Sequence, residues 1–460
     1  MKLLISMFIL SVPFYSIGVF ISDKYISISH VFAVLVALMI VVFLAKNKLK
    51  KSEVSWTKYF FYFLLVTMLG ITLSPYAPAL YFKGIIQILG ISVMLCMAIM
   101  VVKYVKAYPP RLTQLIKLML FVVGLVAVVG VAQFFIFNFT PFPSLMMFDF
   151  LNTLADGSVW RDPGFVGPIH RVNSFTAEPT AMARYLCLGL GFALIRLGFA
   201  GKVAKNQLVA YVPLWVALSI VLAMLVSLSI NAYLLFIVVA FALIILPKKT
   251  SVRMFFRLGS ASAIVLVSLL AIDYSTEKNF YKKFMTANIV FDSSSVDTSE
   301  NGQLSALAIA SNITVALKSL EASPMFGGGL GSHSLSYDVY APWYVGGISV
   351  LDGLNADDAA SLLYRLISET GVIGTSLFLF ALGNIIYRAR KLILSPNTES
   401  RNKVIVMALA ASCVGMFEIY LTRTGHYYDP VFWVLIAITM ASILRTPNIT
   451  LGGSCEVDKK

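Results

Sequence analysis

Charge is what this chain has least of. Only 13% of its 460 residues are charged and 59% are apolar, whereas a soluble domain is roughly a quarter charged. That balance excludes an ordinary water-soluble fold. The length therefore counts membrane-crossing segments, each needing about twenty apolar residues, rather than soluble domains. Cysteine is scarce too. Cys96, Cys187 and Cys413 sit inside apolar runs, Cys455 lies in the tail, and no CxxC pair occurs. This pattern excludes a disulfide framework and a cysteine-based metal site. With four histidines and no zinc- or iron-like spacing, no metal is expected. No Gly-Lys-Ser/Thr phosphate loop and no glycine fingerprint leading into a βαβ unit is present, so no nucleotide cofactor, or any other, is expected. Internal repeats and low-complexity segments are also missing.

What is present is a formal net charge of +14, placed mostly in short loops at alternate ends of the apolar runs. That is the signature of the positive-inside rule, and nucleic acid is not an expected partner. The amino terminus, MKLLISMFILSVPFYSIGVFIS, has an early lysine and an apolar stretch but no small-x-small cleavage site. It reads as a first span rather than a signal peptide. Spans are predicted at 3–21, 31–45, 59–73, 84–102, 116–137, 180–200, 208–226, 230–247, 258–272, 371–387, 404–421 and 430–444. The 208–247 stretch is split at Ser-Leu-Ser-Ile-Asn, because a single helix of that length would tilt too far. With the amino terminus inside, most lysines and arginines fall on the inner side, among them Lys46, Lys48, Lys50, Lys51, Arg253, Arg257, Arg388 and Arg390. About twelve spans with both termini cytoplasmic are expected.

The expected organisation is all-α and polytopic. Residues 1–272 hold the first nine spans with an outer loop near 139–179. Residues 273–370 form a large, mainly helical outer loop, and 371–460 hold the last three spans and an inner tail. The large loop is rich in carboxylates, and 303–322 has apolar positions at helical spacing. A loop of that length usually carries function.

Four stretches carry candidate chemistry. The first is 170–186, HRVNSFTAEPTAMARYL. Glu178-Pro179 reads as a helix start. Either Glu178 caps the helix while Arg184 snorkels or pairs with it, or Arg171 and Arg184 hold an anionic group with Glu178 as a base or positioner. The second is 323–334, SPMFGGGLGSHS, a glycine-rich loop that is either a flexible turn or a place of close backbone approach. Its His333 is either a surface residue or faces a site. The third is 355–374, NADDAASLLYRLISETGVIG. Here Arg365 and Glu369 are spaced to pair on one helix face, Gly371 and Gly374 let the helix bend, and Asp357 and Asp358 serve as a base or as caps. The fourth is 421–433, LTRTGHYYDPVFW. Its Arg423 and His426 are unusual in a short outer turn, and Pro430 starts the last span. Arginine suits diphosphate through its planar fork of donors. The aromatics Tyr337, Tyr340, Trp343 and Tyr344 suit the apolar faces of sugars.

In RVNSFTAEPTAMARYL, SPMFGGGLGS and SLLYRLISETGVIG the chain resembles the O-antigen polymerase and O-antigen ligase superfamily of bacterial membrane glycosyltransferases. The likeness covers about 170–440. These stretches look like that family's Arg…Phe…Glu-Pro element, its Pro-x-Phe-Gly-x-Gly-Leu-Gly element and its helix ending Glu-x-Gly-x-x-Gly. The resemblance implies a GT-C-like fold in the bacterial inner membrane and a periplasmic active site. It also implies glycans carried on undecaprenyl diphosphate, membrane lipids as neighbours, and a polysaccharide chain-length regulator as a partner. Arg171, Arg184 and Arg423 would hold the diphosphate. Tyr337, Tyr340 and Trp343 would contact glycan, and the catalytic base is left open among Glu178, His333, Asp357, Asp358 and His426. Ligases of the superfamily open the third element with a His-Asn/Ser pair, and here those positions are Ala360 and Ser361. That departure favours a polymerase over a ligase. The non-enzymatic alternative, a lipid-linked oligosaccharide flippase, would place polar residues near mid-membrane. Here they crowd the outer edges.

Overall fold

The structure is a computed structural model. It describes residues 1–14, 18–21, 24–45, 51–140, 165–166, 169–176, 178–248, 252–275, 304–342, 344–345, 353, 355–423 and 426–445. The described chain is almost wholly helical. In chain order the helices are α1 (Lys2–Ser11), α2 (Ile28–Ala45), α3 (Lys51–Val54), α4 (Lys58–Thr72), α5 (Ala77–Ala107), α6 (Pro110–Phe139), α7 (Pro179–Arg196), α8 (Lys202–Leu208), α9 (Leu214–Val226), α10 (Ile230–Ile245), α11 (Val252–Ser275), α12 (Leu304–Ala322), α13 (His333–Tyr340), α14 (Leu362–Leu394), α15 (Ser400–Arg423) and α16 (Pro430–Arg445). Among the described residues α5, α6, α14 and α15 are long and apolar enough to cross a bilayer. The chain is an all-α membrane protein.

Helices lie at the expected spans except over part of the first and over 209–213 of the seventh, where a turn leads through Pro213 into α9. In the first, α1 ends in a single 3-10 turn at Val12–Phe14, and Gly18–Ile21 (β1) pairs antiparallel with Lys24–Ser27 (β2). The continuous helix expected over 3–21 is corrected accordingly. Pro13 removes one backbone donor just where α1 ends, and the following segment, rich in β-branched and aromatic residues, takes up strand pairing. The Tyr185 hydroxyl satisfies the Val12 carbonyl left open at the helix end.

The centre of the bundle is built by α7, α15 and α16, buried along nearly their whole lengths. Helices apolar all round belong inside. Around them α16 packs on α5, α15 on α14, α7 and α10, and α9 on α6 and α7. Large apolar side chains such as Phe61, Phe82, Leu89, Phe121 and Phe241 face outward, as lipid-facing positions do.

One end of the bundle carries the loop helices. Helix α12 packs on the first half of α14 and on α13, around a small core of its own containing Leu307, Val315, Tyr337 and Tyr344. Helix α14 begins at Ser361, whose hydroxyl accepts from the amides of Leu363 (3.1 Å) and Tyr364 (3.4 Å). It kinks at Gly371, where φ is 59° and ψ −162°. The glycine loop docks against this kink through its backbone. Gly328 N donates to Ser368 O (2.8 Å), Gly329 N to Glu369 O (3.0 Å) and Val372 N to Pro324 O (2.9 Å). The two glycine motifs of the sequence thus form one interlocked joint, and the alternative of a flexible turn is set aside.

Candidate functional site

Arg171 is positioned by two amide side chains near the same end of α6. Asn138 accepts from His170 N (2.7 Å) and donates to His170 O (3.0 Å). Gln133 accepts from Ser174 N (2.7 Å) and donates to Ser174 O (3.1 Å). Each acts as a surrogate strand, so residues 170–174 are strapped to the helix and Arg171 is held between the two fastenings. Ser174 takes φ of 55° within this strap, and its hydroxyl donates to Val126 O (2.7 Å).

The chain then turns into α7. Glu178 is the N-cap residue by position, with extended backbone (φ −146°), but its side chain makes no capping hydrogen bond and is exposed. It stands in the electrostatic field of both Arg171 and Arg423. Tyr233, from the first turn of α10, faces Arg171 in the same way, and Tyr364, from the first turn of α14, faces Arg423. Tyr233 is itself anchored by donating to Leu225 O at 2.8 Å. Burial lowers the pKa of the Arg171 guanidinium, and Glu178 and Tyr233 raise it. An arginine remains charged throughout, so Arg171 is a partly desolvated cation, suited to hold an anion strongly.

Arg184 is separate from this group. It pairs with Asp429 (2.9 Å) rather than with Glu178, and its guanidinium lies 5.7 Å from the Tyr420 ring centre. Asp429 also caps α16, accepting from Val431 N at 2.8 Å. The buried pair ties α7 to the start of α16. The reading in which Arg184 pairs with Glu178 is corrected: the partner comes from a helix more than two hundred residues away, which spacing along the chain does not reveal.

Burial lowers the pKa of His426, Asp358 and Asp429 raise it, and Arg365 and Arg184 lower it further. Asp358 sits on a turn where Asn355, Ala359 and Ala360 take φ of 61°, 59° and 56°, a left-handed conformation that asparagine adopts readily but that costs roughly 1–2 kcal/mol for each alanine. Its carboxylate accepts from Ala360 N at 3.0 Å.

His333 lies inside, 0% exposed. The Asn312 amide donates to Ala308 O (2.6 Å), with Oδ1 lying 2.9 Å from His333 Nε2, while Nδ1 lies 2.7 Å from the Ser368 hydroxyl, which also donates to Arg365 O (3.2 Å). Burial, together with Arg365 and Lys83, pushes its pKa down to about 3. Both ring nitrogens are engaged, so His333 pins α12, α13 and α14 together. Tyr337 is also buried, its hydroxyl 3.3 Å from Ser311 Oγ, and it serves the loop core. Tyr340 is partly buried against that core. Trp343 lies outside the described residues.

A buried network supports the site from below. Arg365 Nε donates to Glu369 Oε1 (3.0 Å), and the Tyr427 hydroxyl donates to Oε2 (3.0 Å). The Arg365 guanidinium lies 4.9 Å from the Tyr427 ring centre, and Trp433 Nε1 donates to Tyr427 O (2.9 Å). The turn bearing His426 is thereby fastened to α14. The amides Gln133 and Asn138 and the phenols Tyr233 and Tyr364 were not singled out by sequence, and Tyr427 read only as an interface aromatic. The one signal was the presence of amides inside an otherwise apolar run.

Among the described residues no group of three or more His, Cys, Asp and Glu is arranged to hold a metal ion. What the cluster offers is two arginines in the field of one exposed carboxylate, with a histidine on the neighbouring turn. Such a set can hold a multiply charged anion and accept a proton beside it. No protein-family model matches the chain, and no curated protein matches it.

Proposed function

We propose that the chain is a membrane glycosyltransferase of the O-antigen polymerase type, GT-C-like, with about twelve spans and its site on the periplasmic face of the bacterial inner membrane. The observation that carries this reading is the convergence of Arg171 and Arg423, far apart in sequence, on the field of Glu178. The substrates are oligosaccharides linked to undecaprenyl diphosphate, and a chain-length regulator is the expected partner.

In the proposed reaction a hydroxyl of the incoming lipid-linked unit attacks the anomeric carbon of the growing glycan. The bond from that carbon to the diphosphate oxygen breaks, and undecaprenyl diphosphate leaves. Arg171 and Arg423 bind the diphosphate and stabilise the charge that grows on it, a contribution that is largest in a partly desolvated site. The acceptor proton passes to His426, beside Asp358. Glu178 orients the two arginines. Arg184 acts indirectly, by holding Asp429 and with it the turn that carries His426.

Arg171→Ala and Arg423→Ala, expressed at normal levels, are expected to abolish polymer formation. Full polymer from both variants would remove the diphosphate role from these arginines and the reading with it.

A further inference from the structure

The loop end of α5 carries a second polar group that the proposed reaction leaves unused. Lys83 Nζ donates to Ser334 Oγ (2.8 Å) and to Asp357 Oδ1 (2.9 Å). Gln87, one turn further along the same face of α5, approaches Gly331: a Cβ there would lie 3.2 Å from Lys83 Cγ and 3.4 Å from Gln87 Nε2. Gln87 is 4% exposed, and its Oε1 has no hydrogen-bond partner. The adjoining Ser332, fully buried, has an unpartnered hydroxyl as well. Buried polar atoms left unmatched are costly, so they mark a place built for a matching group.

The chemistry of that group follows from what is present. Lys83 is met by a carboxylate, and that carboxylate belongs to a side chain 88% exposed, on a turn of left-handed residues. It can be exchanged for another. The unmatched Gln87 oxygen only accepts, so the ligand must bring donors. A diphosphate brings no donor and would repel that oxygen. A hydroxylated ring bearing one carboxylate satisfies both demands.

We propose that Lys83, Gln87 and Ser334 form a subsite for an acidic sugar, one carboxylate-bearing residue of the glycan, with Asp357 occupying the carboxylate position until that sugar arrives. This rests on the reading that the substrate is a glycan, and it names a class of sugar that the arginine cluster does not specify.

The test uses the full chain purified in detergent, with glucuronate and glucose as probes in saturation-transfer NMR and farnesyl diphosphate binding measured in parallel. Glucuronate is expected to receive saturation in preference to glucose. Lys83→Met is expected to lose that transfer while still binding farnesyl diphosphate, which shows an intact fold. Asp357→Asn, by freeing Lys83, is expected to tighten glucuronate binding roughly threefold, a gain that a merely structural ion pair would not give. Equal transfer to both sugars, transfer to neither because ordered water fills the place, or transfer unaffected by Lys83→Met overturns the inference. Farnesyl diphosphate binding then still reports on the arginine cluster. Loss of farnesyl diphosphate binding with glucuronate retained supports this subsite and counts against the arginine cluster instead.

Discussion

Gly327 and Gly371 approach so closely that a Cβ on Gly371 would lie 2.6 Å from Gly327 N, and a Cβ on Gly327 would lie 2.7 Å from Gly371 N. Both take left-handed φ, 66° and 59°, so a side chain at either would be strained even with room to spare. This contact joins the glycine loop to the kink of α14 and fixes the direction of the segment that carries Tyr364 and Arg365. Gly327→Ala and Gly371→Ala are expected to lower stability by more than about 2 kcal/mol each, read as a fall in Tm of the detergent-purified protein. Gly383→Ala is the control, since nothing lies within 4 Å of a Cβ there. It is expected to be neutral or to stabilise α14 by about 0.5–1 kcal/mol. Equal Tm values for all three variants would contradict the joint.

Arg365 and Glu369 are 4% and 1% exposed, so each depends on the other for charge compensation. Glu369→Gln keeps the shape but takes the negative charge from beside a buried guanidinium, and is expected to cost about 3–5 kcal/mol. Tyr427→Phe removes one hydrogen bond to the same carboxylate and is expected to cost about 1.5–3 kcal/mol. Thermal unfolding of the two variants side by side checks the order. A larger loss from Tyr427→Phe would show that the pair is not the anchor.

The His333 imidazole, held near pKa 3 against an ordinary 6.5, predicts a pH dependence. In the folded chain it stays neutral down to about pH 3, whereas in the unfolded chain it takes up a proton below about 6.5. The unfolded state therefore binds more protons between those values. The contribution of His333 is complete above pH 6.5 and is lost as pH falls, by up to about 1.4 kcal/mol per pH unit. A His333→Gln variant, measured beside the parent from pH 8 to pH 4, is expected to show its stability deficit shrinking toward acid. A deficit independent of pH would contradict the neutral, fully bonded imidazole.

The strap that holds Arg171 gives a prediction about activity rather than folding. Gln133→Leu and Asn138→Leu each release one end of residues 170–174 and are expected to lower polymer formation by about tenfold or more through misplacement of Arg171. Arg171→Lys is expected to be impaired as well, because an ammonium cannot reproduce a planar two-pronged contact. Gel profiles of the glycan at matched protein levels check this. Wild-type profiles from all three variants would show that the position of Arg171 does not matter.

Much of the fold was legible in the sequence. Apolar runs marked α2, α4 to α7, α9 to α11 and α14 to α16, because burial in lipid or in a helix core demands the same residues along a whole run. Hydropathy failed at 3–21 because it reads apolarity and not backbone donors. Pro13 and the β-branched residues after it turned part of that run into a hairpin. At the site, Arg171, Glu178 and Arg423 were legible because charge beside a span is costly and therefore conspicuous. Their grouping was legible only in part, since Arg184 pairs with Asp429 and the two phenols that flank the arginines look like ordinary interface aromatics. His333 read as a surface residue or one facing a site, and Tyr337 as an aromatic for sugar, because both lie in a polar loop. That loop instead has its own small core, built where α12 and α13 fold onto α14.

The most direct test of the central claim is glycan banding in a strain lacking this gene, with and without the gene restored. The account predicts that the deletion leaves lipid A–core carrying a single repeat unit. Restoring the gene brings back the ladder of polymer, and the Arg171→Ala gene does not. Polymer accumulating on undecaprenyl diphosphate with none on the core would contradict the account in favour of a ligase, and repeat units trapped on the cytoplasmic face would contradict it in favour of a transporter.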